Sequence, residues 1–150
     1  MKFSVPSLIL VIAQFSLIAM VASPVSDLFS TSSAALLGAL LIMDGIVVAV
    51  WALVSMPPGT FRVMPEPAAK AQLTQSGPYR WLRHPMYSAV VLAALGATIS
   101  HATLWHGLIF LALIVVLLLK IDREEKYLLA TYSEYAHYKT RTKALIPFIY

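Results

Sequence analysis

From Met86 to Leu119 the chain runs 34 residues without a formal charge. A single straight helix of that length would reach about 50 Å at 1.5 Å per residue. The hydrocarbon core of a bilayer is only about 30 Å thick. One helix would also carry Arg83 and Lys120, which bracket the run, to opposite sides of a membrane. A hairpin turning near Ser100-His101-Ala102-Thr103 returns both to the same side. This segment therefore reads as two antiparallel apolar helices, about 85–100 and 104–120.

Two further apolar stretches, about 5–22 and 34–56, complete four spans. Only 12% of the 150 residues are charged and 59% are hydrophobic, about half the charge of a soluble domain. Lys2, an apolar stretch and Ala22-Ser23 also resemble a secretory signal. Removing it would leave three spans, so 5–22 is read as a retained helix. The second span stops at Pro57-Pro58-Gly59, which cannot continue a helix.

The eleven Lys and Arg fall in three places. Lys2 stands first, then Arg62, Lys70, Arg80 and Arg83 in the central loop, then six from Lys120 to Lys143. The connections at 23–33 and 100–103 have none. This is the positive-inside pattern, and it places both termini and the loop 57–84 on the cytoplasmic face. The expected fold is an all-α polytopic membrane protein, a single domain over 1–150, in a cytoplasmic (inner) membrane of prokaryotic style. It has four transmembrane helices, the last two forming a hairpin, and a cytoplasmic tail at 121–150 with an amphipathic helix. The net charge of +4 thus reports orientation and anionic head groups as partners, and argues against nucleic acid. With no cysteine, disulfides and thiolate chemistry are excluded. The four histidines show no metal-ligand spacing, so no metal is expected. Oligomeric state is not encoded legibly.

Loop 57–84 is long for a structureless connector, a length often associated with function. Its stretch 70–75 suits a short interfacial helix. Pro85 suits the first turn of the third helix. His84 and Tyr87 are three apart and share a face there, and Lys120 and Glu124 are four apart and share one on the next helix. The hairpin brings both pairs to one membrane depth. Free N–H groups at the helix start favour an anion. Together the residues offer an anion site, a carboxylate for two hydroxyls, aromatic rings for a flat base, and a cation. Those are the needs of a nucleotide-like cofactor with an amino-acid tail, beside an amphiphilic substrate.

The ordered set Gly77-Pro78-Tyr79, Arg83-His84-Pro85-Met86-Tyr87, Glu124-Glu125 with Leu128, then Tyr135, Tyr138 and Ile146-Pro147 resembles the isoprenylcysteine carboxyl methyltransferase family. Phospholipid methyltransferases share much of the pattern, which covers about 65–147. The resemblance implies S-adenosylmethionine as cofactor, contacted by Gln72, Leu73, Thr74, Tyr79, His84, Pro85, Tyr87 and Glu124. It also implies a lipid or isoprenoid substrate. Lys120 falls where the family has a substrate-binding arginine; it keeps the charge and loses the bidentate fork. Lys120 or Arg83 is the expected catalytic cation for carboxylate O-methylation. N-methylation of a phospholipid is the alternative, with Glu124 or Glu125 as base. An NADPH-dependent sterol-reductase-like enzyme, using Arg62, Lys70 and Arg80 for the extra phosphate, and a non-catalytic lipid-binding protein are the readings from other classes.

Other residues have plainer expectations. Trp81 and Arg80 read as interface anchors. Glu125 reads as a solvated residue, the tyrosines from Tyr127 to Tyr138 as packing, and His101 and His106 as part of the far turn. Asp44 lies near the middle of a span, where an acid costs roughly 2.5–3.5 kcal/mol. It is expected to meet a hydroxyl or Gln14 on a neighbouring helix.

Overall fold

The computed structural model describes residues 4–24, 32–58 and 73–147. Among them it is all-helical: α1 (Val5–Val21), α2 (Ser33–Val54), α3 (Pro85–His101), α4 (Leu104–Thr131) and α5 (Tyr135–Arg141), with a 3₁₀ turn at Gly77–Arg80. The helix starts are written locally. The hydroxyls of Ser4, Ser32 and Thr103 accept from the backbone N–H three residues on, capping α1, α2 and α4. Pro85 opens α3, where its missing N–H goes unnoticed.

The hairpin is tight. Ala102 ends α3 in the left-handed region at φ 50°, and α4 starts two residues later. His101 and His106 stack across it with ring centroids 4.0 Å apart. The His106 ring also hydrogen-bonds the Thr103 hydroxyl and the Ser23 carbonyl, tying the end of α1 to the turn.

The helices pack along seven-residue seams. In α1 the buried residues are Ser7, Gln14 and Val21, and α1 lies antiparallel to α4, with Ser4 bonded to Arg123 and Ser23 to His106. α2 packs closely on α3 through Gly38, Gly45 and Gly96. A Cβ on Gly38 would stand 2.4 Å from the Gly96 carbonyl oxygen, and one on Gly45 would stand 2.8 Å from that of Ala89. Small residues let backbones approach this way in apolar helix pairs.

α2 and α4 are long and apolar enough to cross a membrane; α1 and α3 are shorter apolar helices. The outer face of α2 exposes Leu36, Leu37, Leu40, Met43, Val47, Val50 and Val54. An apolar surface this continuous is suited to lipid rather than water. Asp44 lies exposed on α2, and Gln14 bonds Lys120 instead. The expected contact of Asp44 with a hydroxyl or Gln14 on a neighbouring helix is therefore corrected: the acid is exposed, because the inward face of α2 is taken by glycine and alanine.

α4 continues past its apolar part to Thr131. α5 and the segment after it then fold back on the loop before α3. Lys143 N–H donates to the Trp81 carbonyl, and the N–H groups of Arg83 and His84 donate to the carbonyls of Lys143 and Ala144. The Tyr138 hydroxyl donates to the Tyr79 carbonyl at 2.6 Å and the Ser88 hydroxyl to that of Leu145 at 2.6 Å. The C-terminal segment thus fixes the backbone on which His84 stands. Of the helix expected at 70–75, residues 73–75 are not helical; 70–72 lie outside the described residues.

Candidate active site

The start of α3 presents His84 and Tyr87 as a stack, ring centroids 5.5 Å apart and planes 16° off parallel. The middle of α4 presents Lys120 and Glu124 to the same space. The Tyr87 hydroxyl donates to Glu124 Oε2 at 2.9 Å, and Lys120 Nζ lies 5.2 Å from the Tyr87 ring centroid. Lys120 is 1% exposed and donates to the Gln14 side-chain oxygen on α1. A cavity of about 200 Å³ opens between them, walled by these residues with Tyr79, Arg83, Met86, Phe15, Met56 and Val90.

His84 occupies an unusual position. Its Nδ1 lies 3.6 Å from Glu124 Oε2 and its Nε2 lies 3.4 Å from Glu125 Oε1, so one imidazole spans two carboxylates. Its ring is buried and makes no helix-capping bond. Among the described residues Nε2 meets no acceptor closer than Glu125, and the buried Tyr79 hydroxyl has no hydrogen-bond partner. Burial first, then the Glu124 charge, pushes the Tyr79 phenol well above its ordinary value, so it remains a donor.

Glu125 corrects the sequence reading. It is buried, not solvated. Arg83 Nε donates to its Oε1 at 2.7 Å and Lys139 Nζ to its Oε2 at 2.5 Å. Burial raises its pKa, but the contacts with His84, Lys139 and Arg83 outweigh that and hold the carboxyl well below the usual range. The same arginine donates to the carbonyls of Lys139 and Thr142. Arg83 lines the cavity, yet its guanidinium is committed to Glu125 and the C-terminal segment. Tyr138 behind it is pushed up to about 12 by burial, despite the nearby Arg83 and Arg141 charges.

Of the residues expected at the site, Tyr79, Arg83, His84, Tyr87, Lys120 and Glu124 meet around this cavity. Pro85 is buried beside it as the first residue of α3. Leu73 and Thr74 are half-buried and do not line it; Gln72 lies outside the described residues. Trp81 is 46% exposed, tilted on Trp51 at 5.9 Å, with Arg80 over its ring. Sequence reasoning missed Gln14 and Phe15 as wall residues and Glu125 as the centre of an ion-pair cluster. Gln14 carried a signal: it is a lone amide in an apolar helix, seven residues from Ser7 and from Val21.

A family model described as phospholipid methyltransferase matches residues 33–135, about two thirds of the chain and all of α2, α3 and α4. No curated protein and no solved structure matches the chain.

Proposed function

This chain belongs to the phospholipid methyltransferase family, and from that premise we propose an enzyme with four membrane-spanning helices and a cytoplasmic active site. It methylates an amphiphile that enters sideways from the bilayer. The observation that carries this reading is the meeting of His84 and Tyr87 with Lys120 and Glu124 around one cavity. The residues suit S-adenosylmethionine, which when bound supplies an electrophilic methyl group on a sulfonium. One buried donor without a partner among the described residues, the Tyr79 hydroxyl, calls for a ligand acceptor, since an unmet buried donor costs about 1–3 kcal/mol. The Glu124 carboxylate, held by Tyr87, is the acceptor available for ligand hydroxyls. A cavity of about 200 Å³ is below the roughly 300–1,000 Å³ of drug-sized sites, so it encloses the reacting ends and leaves the remainder of both ligands outside.

The chain's own work is to hold and to dry. Phe15, Met56 and Val90 exclude water from the reacting atoms, and the two short helix ends fix their approach. For a carboxylate acceptor no base is required. The buried Lys120 ammonium, steadied by Gln14, would hold one acceptor oxygen while the other is methylated. A second reading is favoured by the imidazole set between two carboxylates. For an amine acceptor His84 and Glu124 offer a route for the departing proton, and phospholipid N-methylation follows. Arg62 and Lys70, on which an NADPH site would depend, lie outside the described residues, and Arg80 is not at the cavity wall.

Transfer of label from methyl-labelled S-adenosylmethionine into a membrane lipid extract tests the proposal. Lipid-soluble label released as methanol by alkali identifies a methyl ester, and alkali-stable label identifies N-methylation. No lipid label under any acceptor condition would overturn it.

A further inference from the structure

A second concave site lies between α1 and α4 and shares no residue with the cavity above. It has a volume of about 620 Å³ and is lined by Pro6, Ile9 and Leu10 of α1 and Leu119, Asp122, Arg123, Lys126 and Tyr127 of α4. Its floor is apolar and open, with Ile9 59% and Leu119 53% exposed. Its charged part begins where the apolar run of α4 ends, so it straddles the boundary between hydrocarbon and head group.

Arg123 makes this a site rather than a gap. Among the described residues its buried Nε has no hydrogen-bond partner, and its Nη2 donates to the Ser4 hydroxyl at 3.3 Å. Among the described residues no acid pairs with it. A desolvated guanidinium edge without an acceptor is costly, and a phosphate matches its fork. Lys126 is tied to Asp122 at 2.7 Å, but both are largely exposed, so that pair is weak and the ammonium can turn to a stronger anion. The three charges sum to one positive. The capped start of α1 adds the positive end of its dipole on the same side.

We propose that the α1–α4 groove holds an anionic diester phospholipid, its phosphate on Arg123 and Lys126 and one acyl chain over Ile9, Leu10 and Leu119. The occupant is a bound lipid outside the methyl-transfer cavity, and the inference stands whether or not that cavity transfers methyl groups. Net charge selects the class: a single negative charge complements the groove, whereas a zwitterion brings a second cation to it.

The full chain in neutral detergent is titrated with short-chain phosphatidylglycerol while its thermal unfolding midpoint is followed. A saturable rise is expected, with apparent affinity about tenfold above that for phosphatidylcholine of the same chains, and no rise with inorganic phosphate. R123Q should lower the affinity about tenfold and K126Q about threefold. Equal responses to the two lipids, or a full response to inorganic phosphate alone, would overturn the proposal. So would wild-type affinity in both variants. If R123Q does not fold, K126Q decides, because its side chain is exposed and its loss leaves the packing intact.

Discussion

Replacing Glu125 by glutamine removes a charge that never faces the cavity, and the structure gives the cost. Glu125 and Arg83 are about one-tenth exposed and meet at 2.7 Å; breaking such a buried pair costs roughly 3–5 kcal/mol. Glutamine can keep one neutral hydrogen bond to the guanidinium, and Arg83 keeps its two backbone carbonyls. These place E125Q near the lower bound, at about 3 kcal/mol. Lys139 is 44% exposed, so its share is below about 1 kcal/mol. The pH dependence follows in sign. The folded carboxyl titrates below its ordinary value of 4.5, so its stabilisation is complete above that pH and is lost as the pH falls below it. Unfolding in detergent, read by tryptophan fluorescence from pH 3 to 8, should show E125Q less stable at neutral pH and converging with the wild type in acid. Binding of S-adenosylhomocysteine should weaken in parallel, since Glu125 and Arg83 brace His84. A loss under about 0.5 kcal/mol, the usual result for a surface substitution, with no convergence in acid, would refute this reasoning.

Gly38→Ala should destabilise by about 3 kcal/mol, the upper end for overpacking, because the new methyl meets a backbone oxygen 2.4 Å away that cannot yield. Gly107→Ala, where nothing lies within 4 Å, should stabilise by about 1 kcal/mol; thermal unfolding of the two variants checks both. Tyr87→Phe removes one hydrogen bond to a carboxylate and should weaken S-adenosylhomocysteine binding about 10- to 100-fold by calorimetry. Its unfolding midpoint should fall by only a few degrees, about 1 kcal/mol for the lost hydrogen bond, as the ring stack with His84 remains. Asp44→Asn, on the exposed face of α2, should leave turnover unchanged; a loss beyond about threefold would give the acid a role.

The parts of the fold set by local chemistry were legible. An uncharged run too long for one span forces a turn, and Pro85 marks the start of α3. The meeting of His84 and Tyr87 with Lys120 and Glu124 followed from the hairpin and helical spacing alone. Contacts made across the chain were not legible. Glu125 looks solvated beside Lys126, because its partners Arg83 and Lys139 come from other elements and only the folded tail brings them together. Gly38, Gly45 and Gly96 read as composition until α2 lies on α3, a pairing that no local pattern encodes. Asp44 was misjudged for the same reason: which face of an apolar helix turns inward depends on the small residues of its neighbour.

Calorimetric titration of the purified protein with S-adenosylhomocysteine and, separately, NADPH tests the central claim most directly. Saturable binding of S-adenosylhomocysteine alone, abolished by alanine at His84 or Glu124, is the predicted result. Binding of NADPH alone, or of neither ligand, would contradict it.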